Sequence, residues 1–160
     1  AFGKAQQTLV AAADSVVSPI DRAALAEAAL RHPPLALALT ALEQIESASL
    51  AERLAAVAKL PARARVAGML IDIRGRMRRG DPAIGERVAP GLTQEEIGDA
   101  IGLTAVHVNR MLRQLEDQAL IARMGGRVTI LDEAGLRRAA GRNDRSYEGD
   151  LSWLPEVAPA

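Results

Sequence analysis

The chain has 160 residues, enough to bury the core of one domain or of two small ones. Apolar residues make up 49% of it and aromatic residues only 2%, so Ala, Leu, Val and Ile must form the core, which favours closely packed helices. The formal net charge is zero, so a polyanionic partner requires a local basic surface. The absence of cysteine excludes disulfides, iron–sulfur clusters and thiolate zinc sites. No apolar run is long enough to span a membrane, so we expect a cytoplasmic protein without a membrane partner.

The first predicted elements are a short strand and a short helix. The run Ser15-Val-Val-Ser-Pro-Ile has the composition of a strand, and Pro19 suggests an edge or terminal position. Asp21 is predicted to cap an alanine-rich helix that ends at His32, because the residue before a proline is pushed out of the helical region. The two prolines after His32 then open the next helix.

A long helix is predicted from residue 35 to about residue 59. Its narrow apolar stripe has alternating spacings of three and four and comprises Leu35, Ala38, Leu42, Ile45 and Ser49. A narrow stripe flanked by charges favours a contact between two helices, so we predict that these residues mediate dimerisation. An amphipathic helix packed within a single chain is the alternative, because clean heptads are few.

Pro61 breaks the long helix and can open another, whose apolar face continues to about Met77. The basic residues that follow, including Arg76, Arg78 and Arg79, are typical of a helix end, where they complement the dipole, and we assign them no role in reading bases. Residues 80–91 are rich in turn-forming types and are predicted to form a loop.

Two capped helices are predicted next. Thr93-Gln-Glu-Glu has the pattern of a capping box, Gly102 permits a left-handed turn, and Thr104 can cap the second helix. The inner stripe of that second helix comprises Val108, Met111, Leu112 and Leu115. Its outer face and margins comprise Ala105, Val106, His107, Asn109, Arg110 and Arg113. This arrangement predicts a helix-turn-helix, which indicates DNA binding.

The outer face carries the residue types that read bases in the major groove. Arginine can pair with guanine, and an apolar side chain can contact a thymine methyl group. Arg110 and Val106 are residues of these two types and lie one helical turn apart on the same face. His107 and Asn109 can add base or phosphate hydrogen bonds, so the predicted base contacts are Val106, His107, Asn109 and Arg110. Arg110 could instead be a solvated charge. A metal site at His107 is not expected, because His32 is the only other histidine and is distant in sequence.

Contacts to the DNA backbone are predicted at helix starts and in a hairpin. Helix starts suit phosphates. Residues 119–132 contain two β-like runs around Gly125-Gly126, which predicts a hairpin, or wing, flanked by arginines. The predicted backbone contacts are Thr93, Gln94, Thr104, Arg113, Arg123 and Arg127. Between residues 104 and 131, arginines outnumber the acids Glu116 and Asp117, so this region is locally basic.

Residues 92–104, 106–110 and 115–121 resemble the winged-helix domain of the Crp/Fnr family of bacterial transcription regulators. Residues 62–70 resemble the first helix of that domain, and residues 6–22 resemble the last strands of the family's effector-binding β-roll. The resemblance implies a mainly α fold with small β (α+β). It divides the chain into a β-roll remnant (1–32), a dimerisation helix (33–60), a winged helix-turn-helix domain (61–140) and a C-terminal tail (141–160).

The resemblance also implies a function, namely a homodimeric regulator that binds a near-palindromic operator in double-stranded DNA, with RNA polymerase as a further partner. Most of the β-roll is absent from these residues. Ala5-Gln6-Gln7 stand where cyclic-nucleotide-binding members have a phosphate-holding arginine, so no cofactor is evident and a cyclic nucleotide is not expected. Ala105-Val106 replace the glutamate with which many members begin this helix, so the usual operator is not carried over.

Two other classes of function remain to be weighed. The main alternative is an assembly module, in which the long helix mediates assembly and the winged domain contacts another protein while its DNA-binding face is idle. An enzyme is not expected, because the chain contains no paired carboxylates, nucleophile elbow or glycine loop for phosphates.

Overall fold

The computed structural model describes residues 8, 10, 11, 15–80, 85, 87, 88, 92–125 and 127–141, without the side chains of 79, 80, 87 and 88. These residues form six helices and three short strands, which are α1 (Arg22–Arg31), α2 (Pro33–Lys59), α3 (Ala62–Gly80), β1 (Arg87–Val88), α4 (Gln94–Ile101), α5 (Ala105–Asp117), β2 (Ile121–Met124), β3 (Arg127–Ile130) and α6 (Glu133–Ala139). The predicted mainly helical fold with small β is confirmed. No helix in these ranges combines the length and apolarity needed to cross a membrane.

The first two helices begin and end where the sequence predicts. The Asp21 carboxylate accepts hydrogen bonds from the backbone N–H groups of Ala23 (2.8 Å) and Ala24 (3.2 Å), which caps α1. Pro33 stands at the first position of α2, where the missing N–H costs no helical hydrogen bond. Neither helix contributes much to a core, because α1 buries no residue and α2 buries only Ala41.

The strand predicted at residues 15–20 is wrong. These residues adopt no regular secondary structure, and Val16 is 100% exposed. A strand needs a neighbour to pair its backbone N–H and C=O groups. Among the described residues the only sheet lies between residues 87 and 130, and it does not include this segment.

The hydrophobic core is formed by the elements from α3 to α6. Its most completely buried side chains come from three helices and two strands and are Val66, Val108, Leu115, Ile121, Ile130 and Leu136. The inner stripe predicted for α5 is confirmed, since all four of its members are buried. Residues 62–141 therefore have their own core, which holds α4 and α5 in place.

The wing contains one strand more than predicted. β2 and β3 form the predicted hairpin, with Met124 opposite Arg127 and Gly125 in a left-handed conformation at φ 59°. β1, within the predicted loop 80–91, pairs antiparallel with β3, and the sheet order is β1-β3-β2. A two-residue segment is too short to show a periodic pattern in the sequence. β1 is a strand because it pairs with the edge of β3 that β2 leaves free.

A largely buried ion pair joins α3 to α6. Arg74 of α3 is only 5% exposed, and its guanidinium binds the carboxylate of Glu133 in α6. Its Nε also donates to the carbonyl oxygen of Gly85, 3.2 Å away. Helix α6 was not predicted from the sequence, although Asp132 caps it by accepting from the Gly135 N–H at 2.8 Å.

Candidate nucleic-acid interface

Helix α4, the first helix of the predicted motif, begins with two reciprocal hydrogen bonds between Thr93 and Glu96. The backbone N–H of Thr93 donates to Glu96 Oε2 at 2.7 Å, and the N–H of Glu96 donates to Thr93 Oγ1 at 3.2 Å. The predicted capping box is therefore confirmed. Thr93 and Gln94 are both exposed, although the capping box already uses the backbone N–H and the hydroxyl oxygen of Thr93.

Two glycines set the angle between α4 and α5. Gly102 adopts the predicted left-handed conformation (φ 68°, ψ 47°), which ends α4. Gly98 lets the chain fold back, because the Leu103 N–H donates to the Gly98 carbonyl at 2.8 Å and a Cβ on Gly98 would overlap the Leu103 carbonyl oxygen. Thr104 Oγ1 then accepts from the His107 N–H at 3.3 Å, which confirms the predicted cap of α5.

The outward face of α5 is open to solvent. Val106 is 81% exposed, and Arg110 and Arg113 are exposed on the same side. His107 and Asn109 are half-buried at the two margins of this face. Arg110 Nη2 lies 2.9 Å from His107 Nε2, and since arginine only donates, this histidine nitrogen accepts. The pair restricts the guanidinium within the outward face.

Arg123, predicted to bind phosphate, is already bound within the chain. Its Nε donates to Glu116 Oε2 at 2.6 Å, and its backbone N–H donates to Glu116 Oε1 at 3.0 Å. Its Nη1 donates to Asn109 Oδ1 at 2.9 Å. The hydrogen bond from Arg123 lowers the pKa of the Glu116 carboxyl, outweighing the opposing effect of desolvation. From the sequence, Glu116 was recognisable only as a charge, because a contact across the turn into β2 leaves no periodic signal.

Most of the predicted backbone contacts surround one cleft. Thr93, Gln94, Arg123 and Arg127 line a cleft of about 410 Å³ between the start of α4 and the wing, together with the exposed Met124. Arg127 and Arg113 are exposed. Thr104 does not line this cleft, since it stands at the start of α5.

The predicted dimerisation residues fall into two groups. Leu35, Ala38, Ile45 and Ser49 are half-buried within the single chain, and Ser49 Oγ lies 3.5 Å from Arg76 Nη2 of α3. Leu42 is exposed. The other exposed apolar side chains of α2 are Leu37, Leu39, Leu50, Leu54 and Val57. Leu39, Leu50 and Val57 share a face about a quarter of a turn around the helix from the half-buried group.

Comparison with known proteins identifies the fold of the core region. Residues 64–139 match the family described as the Crp-like helix-turn-helix domain. A curated relative, the nitrogen fixation regulation protein FixK of Azorhizobium caulinodans, is 32% identical over 120 residues, which are 74% of this chain and 48% of the relative. Residues 64–139 of this chain are therefore a Crp-like helix-turn-helix domain. The chain spans about half the length of the FixK relative.

One solved structure resembles this fold over most of the chain. The structure of FixK2 from Bradyrhizobium japonicum matches with a TM-score of 0.63 and 25% identity, over 75% of this chain and 59% of that one. A CRP-family transcriptional regulator from Thermus thermophilus matches with a TM-score of 0.47 and 26% identity, over 76% of this chain and 56% of that one.

Proposed function

We propose that this chain is a regulator of transcription that binds double-stranded DNA at specific sequences, with α5 in the major groove. The observation that carries the proposal is the outward face of α5, where an apolar side chain 81% exposed, Val106, lies one turn from the exposed Arg110. An exposed valine beside an arginine matches a thymine methyl group beside a guanine. The name of the FixK relative, a regulation protein, supports the same function.

The proposed contacts divide into base-reading and positioning sets. Val106, His107, Asn109 and Arg110 lie at or beside the groove-facing surface and are the proposed base contacts. The proposed backbone contacts are Thr93, Gln94, Thr104, Arg113 and Arg127. Arg123, the sixth contact predicted from the sequence, is paired with Glu116 and is not among them. Phosphate contacts place the protein on the duplex without reading sequence.

We also propose that the regulator is a homodimer. The exposed apolar side chains of α2 support this, since Leu50 is 59% and Leu54 is 74% exposed on a helix that buries only Ala41 within the chain. The proposed contact surface extends the predicted stripe from Leu42 to Leu39, Leu50, Leu54 and Val57. A two-fold dimer would read two half-sites about 34 to 36 Å apart in a near-palindromic operator.

The remaining assignments follow from the family. Residues 1–32 are proposed to end a β-roll domain, 33–60 to dimerise, 61–140 to bind DNA and 141–160 to form a tail, of which residues 142–160 lie outside the described part of the chain. RNA polymerase as a partner, a cytoplasmic location and the lack of enzymatic activity are proposed on the same ground.

Selection of bound duplexes from a random pool tests the function, followed by binding of the enriched site to Arg110→Ala. We expect the wild type to enrich a near-palindromic site. Arg110→Ala is expected to weaken binding by about 1 to 3 kcal/mol and to relax the preference at one base pair of each half-site, because a bidentate guanine contact is lost.

Arg31→Ala serves as the control, because Arg31 is an exposed arginine on α1, away from the proposed interface. It should leave the selected sequence unchanged. A wild type that enriches no sequence and binds without salt dependence would instead support the alternative, an assembly module with an idle winged domain. Equal loss of affinity for all sequences in Arg110→Ala would refute its reading role.

A further inference from the structure

The amide of Asn109 has a defined orientation. Arg123 Nη1 points at it from β2 with a separation of 2.9 Å from the side-chain oxygen. A guanidinium has donors and no acceptor, so the atom facing it must be the oxygen Oδ1. The NH₂ group of Asn109 is therefore directed away from Arg123.

Arg123 is itself held from two sides. Glu116 accepts from its Nε at 2.6 Å and from its backbone N–H at 3.0 Å, so both carboxylate oxygens are used. The two side chains are only 24% and 28% exposed, which limits their exchange with water. A guanidinium paired in this way has lost most of its attraction for phosphate and has a fixed direction.

We propose that Arg123 is a positioning residue that makes Asn109 a hydrogen-bond donor toward DNA. This inference rests on the proposed DNA-binding function. A donor selects bases that present acceptors in the major groove, such as guanine, and disfavours cytosine, whose N4 amino group is a donor. Because Asn109 Oδ1 is already engaged, the bidentate pair that a free asparagine makes with adenine is also weakened.

The Glu116→Gln/Arg123→Met double variant tests this assignment, because it removes the ion pair without changing the net charge. Random-pool selection with the full chain locates the base pair at which Asn109→Ala loses the wild-type preference. In the double variant we expect the preference for an acceptor base at that pair to fall roughly fivefold and adenine to be admitted. The dependence of affinity on salt should stay the same.

Arg127→Met is the matched control from the neighbouring strand. Arg127 is exposed, so its removal should weaken binding evenly across sequences and reduce the salt slope by about 0.9, the value for one phosphate contact. If the double variant behaves like Arg127→Met, Arg123 is a phosphate ligand and the positioning role is refuted. An unchanged base preference in the double variant refutes it as well.

A measurement without DNA separates this inference from the proposed function. NMR relaxation of the Asn109 side-chain NH₂ should report a restricted group in the wild type and a mobile one in the double variant. Equal mobility in both would overturn the positioning role even if the wild type selects a sequence. Selection of no sequence by the wild type would overturn the DNA-binding function, and with it the base-reading role of Asn109.

Discussion

The two halves of the described chain differ in how they are held together. Residues 62–141 surround a core in which Val66, Val108, Leu115 and Leu136 are completely buried. In residues 22–59 the two helices α1 and α2 bury only Ala41. Residues 62–141 are stabilised by their own core. Residues 22–59 instead have exposed apolar side chains, which would be buried only by contact with another surface.

One connection between the two regions is a partly exposed ion pair. Apolar side chains also connect them, since Val57 and Leu60 line a pocket together with residues of α3 and α4. Arg76 Nη2 of α3 lies 2.6 Å from Glu46 Oε2 of α2, in a pair whose side chains are 37% and 46% exposed. Such pairs contribute about 1 kcal/mol or less. Helices gain most of their stability from tertiary packing. α2 therefore gains less stability from packing within the single chain than the helices of the winged region do.

The largest effect on the free energy of unfolding is expected in the core of the winged region. Leu115→Ala should lower the free energy of unfolding of the winged region by about 2 to 5 kcal/mol, because it removes a completely buried side chain and leaves a cavity. Urea unfolding followed by circular dichroism measures this change.

Leu50→Ala is the matched substitution on α2. At concentrations where the chain is monomeric it should change stability by no more than about 0.5 kcal/mol, since Leu50 is exposed. Sedimentation should show a weaker dimer. A large loss of monomer stability would break the comparison, because α2 would then belong to the same core.

A smaller effect is expected at the junction of α4 and α5. Gly98→Ala should cost about 1 to 3 kcal/mol, because the added Cβ meets the Leu103 carbonyl oxygen and the two helices must separate. Thermal unfolding and affinity for the selected DNA should both fall.

Gly75→Ala is the control for that substitution. Nothing lies within 4 Å of the Cβ that it adds inside α3, so it should stabilise the helix by about 0.5 to 1 kcal/mol. Changes of the same sign in both variants would show that the close approach at Gly98 is not what limits the packing.

The smallest expected effect is a dependence of stability on pH. The hydrogen bond from buried Arg74 lowers the pKa of the Glu133 carboxyl in the folded state. Its contribution is therefore complete above the ordinary pKa of about 4.3 and is lost as the pH falls through the lowered folded-state pKa. Glu133→Gln should remove about 1 to 2 kcal/mol at neutral pH and flatten the acid limb of the profile.

Glu27→Gln on α1 provides the comparison with the other region. Glu27 lies 3.9 Å from Arg31 in an exposed pair, so this variant should keep the wild-type profile within about 0.5 kcal/mol. If Glu27→Gln flattened the acid limb as much as Glu133→Gln, the partly buried ion pair of the winged region would contribute no more to the pH dependence of stability than the exposed pair of α1.

Much of the site could be predicted because its signals are local. The capping box at Thr93, the left-handed Gly102 and the cap at Thr104 depend on residues at most four positions apart, and each is present. The strand predicted at residues 15–20 failed for the opposite reason. Its residue types suit a strand, but pairing requires a second segment that the described chain does not supply.

The first five helices, their caps and the buried stripe of α5 could be predicted from the sequence, because backbone geometry and the 3.6-residue period are properties of neighbouring residues. Only the tertiary structure decided which polar groups meet. Arg123 and Asn109 are 14 positions apart, and Glu46 and Arg76 are 30 apart, so no local pattern records their contacts. For that reason the sequence indicates which helix would read DNA, while the orientation of its side chains follows from the wing packed beside it.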